Sequence, residues 1–229
     1  MSDTPVLLVH GFASSFERNW REPGWVDLLS EAGREVIGLD LLGHGNADKP
    51  HDPEAYDDLE DDVAGALPES GPVDAIGFSM GARLLLAVAA AMPDRFEHVV
   101  VGGIGNGVFE GGTSSEAIAR AVEGGVDGDS PAIARVFAQF AAGSGNDPKA
   151  LAACMRRRSK ALTREEVARI ACPVLVVIGE RDFAAPADEL AAALPDARLV
   201  TLPGVDHFAT PKDFRFLDAA LEFLGAVPG

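Results

Sequence analysis

Apolar positions along the chain follow two rhythms. Short β-branched or leucine-rich runs lie at 5–9, 35–39, 73–78, 98–101, 173–178 and 198–202, and several are apolar at nearly every position. A strand covered on one face alternates apolar and polar residues. Uninterrupted apolar runs mark strands covered on both faces, as in a parallel sheet. Between them, apolar residues recur at helical spacing at about 25–32, 54–67, 80–92, 187–194 and 211–224, which predicts amphipathic helices. The last has Thr210 as its N-cap and Pro211 at the first helical position, where a missing N–H costs little. The alternation predicts the α/β class: a mostly parallel sheet of about six strands with helices on both faces.

The rhythm breaks between about 102 and 170. No run there has strand character, and glycine-rich punctuation at 105–107, 110–113, 123–131 and 143–148 separates helical patterns at 115–122, 132–141, 149–155 and 164–170. Thr163 and Glu166 have the spacing of a capping box that would start the last of these. With no internal repeat and only short linkers, the stretch reads as a helical insertion within a single domain spanning 1–229.

Composition narrows the function classes. The chain is 47% hydrophobic and 24% charged over 229 residues, the profile of a globular domain that can bury a sizeable core. Its 36 acidic and 19 basic residues give a net charge of −17, which repels nucleic-acid phosphates and anionic lipid surfaces. A small, neutral, ester-like substrate fits that charge better than nucleic acid or a membrane. The longest apolar helical run, 84–92, is far short of the roughly 20 residues of a bilayer span. No Lys or Arg precedes the first apolar run, so no secretory leader is visible. Cys154 and Cys172 make neither a disulfide framework nor a zinc site, which points to a reducing, cytoplasmic setting. The acidic run 52–62 lacks the glycine and spaced ligands of a calcium loop and reads as a solvated helix face.

Gly77-Phe78-Ser79-Met80-Gly81 lies where an apolar strand must turn straight into a helix. The G-x-S-x-G pattern is unspecific by itself; its position is not. A sharp strand-to-helix turn holds a serine hydroxyl exposed, and the flanking glycines let neighbouring backbone pass close by. A serine is a poor nucleophile without a base, and the base needs an orienting acid. Asp182 follows the strand at 173–178, and His207 follows the one at 198–202. Parallel strands deliver their carboxyl ends to one edge, so Ser79, Asp182 and His207 can converge there. His10-Gly11-Phe12 ends the first strand. The Phe12 N–H, with the Met80 N–H at the start of the following helix, would form an oxyanion hole.

Through His10–Phe12, residues 40–50, Gly77–Gly81, Gly179–Asp182 and Asp206–Phe208, the chain resembles the α/β-hydrolase fold superfamily, as a small serine esterase-like member with a short cap. The resemblance covers almost the whole chain in the expected order. It implies that the six runs are the third to eighth strands of the family core, with the first two lacking, and that 102–170 is the cap. It also implies a catalytic Ser79–His207–Asp182 triad with Phe12 and Met80 as oxyanion donors, and no cofactor or metal. Cleavage of a carboxylic ester through an acyl-enzyme is the expected activity. Carbon–carbon bond hydrolysis, lactone opening, cofactor-free perhydrolysis and ligand binding without turnover are the alternatives.

Other candidates have plainer readings. His10 and His44 brace neighbouring loops by hydrogen bonding, and His51 and His98 are surface or strand-edge residues. Asp206 is a loop residue, because adjacent side chains point apart and it would have to fold back to orient His207. Gly103–Gly107 is a hinge, since its third glycine comes too early for a dinucleotide fingerprint. Arg156, Arg157, Arg158 and Lys160 could attract an anion, but read more simply as a solvated face pairing with carboxylates. Apolar residues of the insertion, Phe137 and Met155 among them, would seal it onto the core and in part line a pocket.

Overall fold

A computed structural model of the chain describes residues 4–110 and 115–227; most of the turn signal at 110–113 lies outside them. The strands are β1 (Val6–Val9), β2 (Val36–Gly38), β3 (Val73–Phe78), β4 (Phe96–Gly102), β5 (Val174–Gly179) and β6 (Ala197–Leu202). They form one sheet in the order β2-β1-β3-β4-β5-β6, parallel at every pairing. This is the α/β architecture of six parallel strands with helices on both faces that the hydrophobic pattern predicts. The uninterrupted apolar runs have the expected cause. Leu7 and Val9 face one hydrophobic cluster, while Val6 and Leu8 face the other.

The helices are α1 (Trp25–Glu31), α2 (Glu60–Gly65), α3 (Met80–Ala91), α4 (Ser115–Gly124), α5 (Ala132–Ala142), α6 (Pro148–Arg156), α7 (Arg164–Val167), α8 (Asp188–Ala193) and α9 (Phe214–Phe223). One face of the sheet packs against α1 and α9, with Trp20, Trp25 and Phe216 meeting edge to face at 5.3 and 4.9 Å. The other packs against α2, α3 and α8. Helices α4–α7 occupy the break between β4 and β5, and the Thr163/Glu166 capping box opens α7.

Two local expectations are corrected, and one element is new. The helix at 54–67 is two pieces, a 3-10 turn Pro53–Tyr56 capped by Asp52 and then α2. Tyr56 is buried and donates its hydroxyl to the Pro50 carbonyl at 2.6 Å, an anchor that turns the chain before α2. The helix expected from Pro211 begins at Phe214. Asp213, in extended conformation, accepts from the Arg215 N–H and supplies the cap, while buried Thr210 donates to the Asp206 carbonyl at 2.9 Å. A π-helical turn, Glu17–Arg21, has no counterpart in the hydrophobic pattern.

Candidate active site

The parallel register determines which loops meet. Val9 pairs with Gly77, Phe78 with Gly102, and Gly179 with Leu202, so the strands end nearly level and their following loops share one edge.

Ser79 directly follows β3 and donates its N–H to the Gly102 carbonyl at 2.8 Å. Its φ of 52° and ψ of −112° lie where side chains rarely go, at a cost of about 1–3 kcal/mol that surrounding packing must enforce. The packing leaves no choice at Gly81. A Cβ there would lie 2.4 Å from the His10 carbonyl oxygen and 2.5 Å from that of Val9. The helix therefore starts in backbone contact with the end of β1, which explains the second glycine of the motif.

His207 and Asp182 arrive from the loops after β6 and β5. The His207 Nε2 lies 3.0 Å from the Ser79 Oγ, and its Nδ1 donates to both Asp182 carboxylate oxygens at 2.9 Å. Asp182 is buried and also accepts the Ala184 N–H at 2.8 Å. A bidentate acceptor on Nδ1 places the proton there, and leaves Nε2 as the acceptor for the serine hydroxyl. The imidazole packs against Phe78 and Phe183, ring centroids 4.9 and 4.2 Å away. Asp206 instead accepts the Ala209 N–H in its own turn.

Phe12 and Met80 line the same cavity as Ser79 and His207. Among the described residues, neither backbone N–H has a hydrogen-bond partner. His10 is fully buried, donates from Nδ1 to the Gly11 carbonyl at 2.8 Å and accepts the Leu41 N–H at 3.0 Å on Nε2. It thereby ties the loop after β1 to the loop after β2. His44 donates to the Leu42 carbonyl, and its Nε2 is buried without a partner among the described residues. Burial, then the neighbouring His10, pushes its pKa down to about 3, and burial lowers that of His10 too. Neither is poised to act as a base. His51 is exposed against Asp147, and His98 meets Asp74 at the far end of the sheet.

The cavity holds about 530 Å³ between the strand ends and α4–α6. Phe137 and Phe183 form one wall, 5.6 Å apart. Arg83, Arg156, Arg157 and Lys160 lie on the lining as well. The basic cluster is thus split. Arg156 pairs with Glu116 and Glu123, and Arg158 with Glu54 and Asp57, as a solvated face would. Arg157 is half-buried on the cavity without a carboxylate partner among the described residues, Lys160 lines it from an exposed position, and of the four only Arg158 is off the lining. Gly105 packs so closely on the next loop that a Cβ would fall 1.9 Å from the Ala184 carbonyl oxygen, so this glycine serves chain crossing and not a phosphate cradle. Among the described residues, no three His, Cys, Asp or Glu side chains group to hold a metal ion, and no helix is long and apolar enough to cross a membrane.

Sequence reasoning missed Phe183 as a ring against the imidazole and Arg83 as a lining residue. The second carries a readable signal, since Arg83 lies four residues after Ser79 and so on the same helix face.

Comparison with known proteins gives a family model described as the alpha/beta hydrolase family, matching residues 6–222. A 2-(acetamidomethylene)succinate hydrolase of Mesorhizobium japonicum is 30% identical over 200 residues, covering 76% of this chain and 72% of that enzyme. An sn-1-specific diacylglycerol lipase of Mus musculus is 36% identical over 77 residues, covering 32% of this chain and 24% of that enzyme. The chain thus matches about a quarter of that lipase's length. The crystal structure of an enol-lactonase from Burkholderia xenovorans superposes with a TM-score of 0.74 at 22% identity, over 98% of this chain and 92% of that one. At that identity the likeness is one of fold.

Proposed function

The chain belongs to the alpha/beta hydrolase family, and from that premise we propose that it cleaves a carboxylic ester or related carbonyl substrate through an acyl-enzyme on Ser79. The observation that carries the proposal is the continuous hydrogen-bonded line from Ser79 through His207 to Asp182, open to a cavity at its serine end. Oγ attacks the carbonyl carbon while the His207 Nε2 takes its proton. The oxygen that becomes negative accepts hydrogen bonds from the Phe12 and Met80 N–H groups. The imidazolium, stabilised by Asp182, passes the proton to the departing alkoxide. Water then gives a proton to His207, attacks the acyl carbon and releases the acid as Oγ regains a proton.

Helices α4–α7 act as the cap of a single domain, and the buried free thiols Cys154 and Cys172 suit a cytoplasmic setting. A second reading places another carbonyl reaction on the same residues: carbon–carbon bond hydrolysis, lactone opening or perhydrolysis. The relative named for 2-(acetamidomethylene)succinate, a substrate outside the simple esters, favours keeping it.

A panel of nitrophenyl esters of increasing acyl length, run on the wild type and Ser79→Ala, tests the first reading. The substitution should lower kcat by about 10⁴- to 10⁶-fold, and a fluorophosphonate should label Ser79 in the wild type alone. Unchanged hydrolysis in the variant overturns the assignment. Absence of both turnover and labelling in the wild type points to a ligand-binding protein on the hydrolase fold.

A further inference from the structure

We propose that this cavity takes substrates bearing a carboxylate, which Arg83, Arg157 and Lys160 hold while the reacting carbonyl faces Ser79. The proposal rests on the hydrolase reading of Ser79 and names the substrate class for that same site.

Arg83 follows Ser79 by one turn of α3, its N–H donating to the Ser79 carbonyl at 3.1 Å. One turn displaces it by roughly 6 Å along the axis, and helical side chains lean back toward the N-terminus, here toward Ser79. The Arg83 side chain is 18% exposed, and its single carboxylate contact, Glu60, is long at 3.6 Å. A guanidinium has five N–H donors, so most of its capacity is unspent. Arg157 caps α6 and donates to the Cys154 carbonyl at 2.7 Å. Among the described residues, neither Arg157 nor Lys160 meets a carboxylate within ion-pairing distance.

The chain holds nearly two acids for every base, so Arg157, half-buried on a cavity wall without a carboxylate, needs a reason, whereas the exposed Lys160 does not. The local electrostatics sharpen the point. Burial lowers the pKa of Arg83 and the Arg157 charge lowers it further, against the raising effect of Glu60 and Glu166. Two guanidiniums therefore repel each other beside the cavity. Of the acids on the lining, Glu116 is taken by Arg156, itself a lining residue, and Glu110 is exposed. An incoming carboxylate would relieve that repulsion with charge-assisted hydrogen bonds.

The net charge of −17 by itself favours a neutral substrate, but the lining redirects that expectation. Charges more than about 8 Å away are largely screened at physiological ionic strength, whereas cations on the wall act at contact distance. On the same lining, Phe12 and Phe137, 5.9 Å apart, and Phe183 offer an apolar and aromatic surface. The fitting substrate is amphiphilic, with an apolar body on the rings and a carboxylate on the arginines.

The test compares esters with neutral isosteres: 3-acetoxybenzoate against 3-acetoxybenzamide, with the anion on the alcohol side, and monomethyl adipate against methyl adipamate, with it on the acyl side. In at least one pair, kcat/KM should favour the anion by about tenfold or more. That ratio should fall toward one in Arg83→Gln and Arg157→Gln. Arg157 is half-buried at a helix end, so its variant serves if Arg83→Gln fails to fold. Calorimetry of 3-hydroxybenzoate and 3-hydroxybenzamide on Ser79→Ala provides a readout independent of turnover, with the anion expected to bind at least tenfold more tightly. Neutral esters hydrolysed with a ratio of one in both pairs, and equal affinity for the two phenols, overturn the carboxylate site and leave the hydrolase reading standing. Absent turnover with preferential binding of the anion overturns the hydrolase reading alone.

Discussion

Two aspartate–histidine pairs lie at opposite ends of the same sheet. Asp182 and His207 meet beyond the carboxyl ends of β5 and β6, and Asp74 and His98 meet near the amino ends of β3 and β4, each with a 2.9 Å contact to Nδ1. The surroundings differ. Asp74 also contacts the buried Arg34, whose guanidinium donates to the Thr4 and Leu224 carbonyls. The side chain of His98 is 29% exposed, and its ring packs on Phe223. That of His207 is 3% exposed, and its second nitrogen faces a serine on a cavity. The lesson is that an imidazole–carboxylate hydrogen bond is not in itself a site. What meets the other nitrogen, and whether a reactant can reach it, separates structural from chemical use. The carboxyl edge has both because its loops run into helix N-termini and leave a crevice.

The largest test of that contrast is Asp182→Asn. It should lower kcat by about 10⁴-fold, roughly 5.4 kcal/mol of barrier, by losing the tautomer and the charge that His207 needs. Its thermal midpoint should change little. Asp74→Asn should do the reverse. Arg34 would remain charged and buried without its carboxylate, so urea unfolding should show a loss of about 3 kcal/mol, with kcat/KM within threefold of wild type. A loss of turnover like that of Asp182→Asn would erase the distinction between the two ends.

His44 supplies a third case, a buried imidazole with no carboxylate, and the smallest expected effect. Its pKa of about 3 in the folded chain compares with about 6.5 when unfolded. Above pH 6.5 neither state is protonated, and the full stability is present. As pH falls below 6.5 only the unfolded chain takes up the proton. Stability then drops by up to about 1.4 kcal/mol per pH unit, levelling near pH 3. His10 is shifted in the same direction. Melting temperatures of His44→Gln between pH 6.5 and 5 should show a shallower slope than wild type; an unchanged slope would mean that His44 is not buried in its neutral form.

The legible parts of the candidate site share one property: each is a short segment attached to a strand end. Gly77–Gly81 marks the elbow because backbone contact excludes any side chain at Gly81, and Asp182 and His207 are identified by the strands they follow. The Asp74–Arg34 pair was not legible. A carboxylate inside the apolar run at 73–78 has a partner forty residues earlier, which no local spacing announces. The division of the basic cluster was equally hidden. Arg156, Arg157 and Arg158 are consecutive, yet α6 ends at Arg156 and the chain leaves the helical conformation at Arg157. Arg156 therefore pairs with Glu116 and Glu123, Arg158 with Glu54 and Asp57, and the middle one is left on the cavity without a carboxylate among the described residues.

The order and kind of elements, the two-sided burial of the strands and the turn that presents Ser79 were properties of the sequence itself. They depend on periodicity and on steric demands acting over a few residues. Which imidazole meets the hydroxyl, which rings enclose it and which cations face inward were decided by tertiary structure. Those contacts join residues up to 128 positions apart, and they form only once the packed layers set the register of the strands and the seat of the inserted helices.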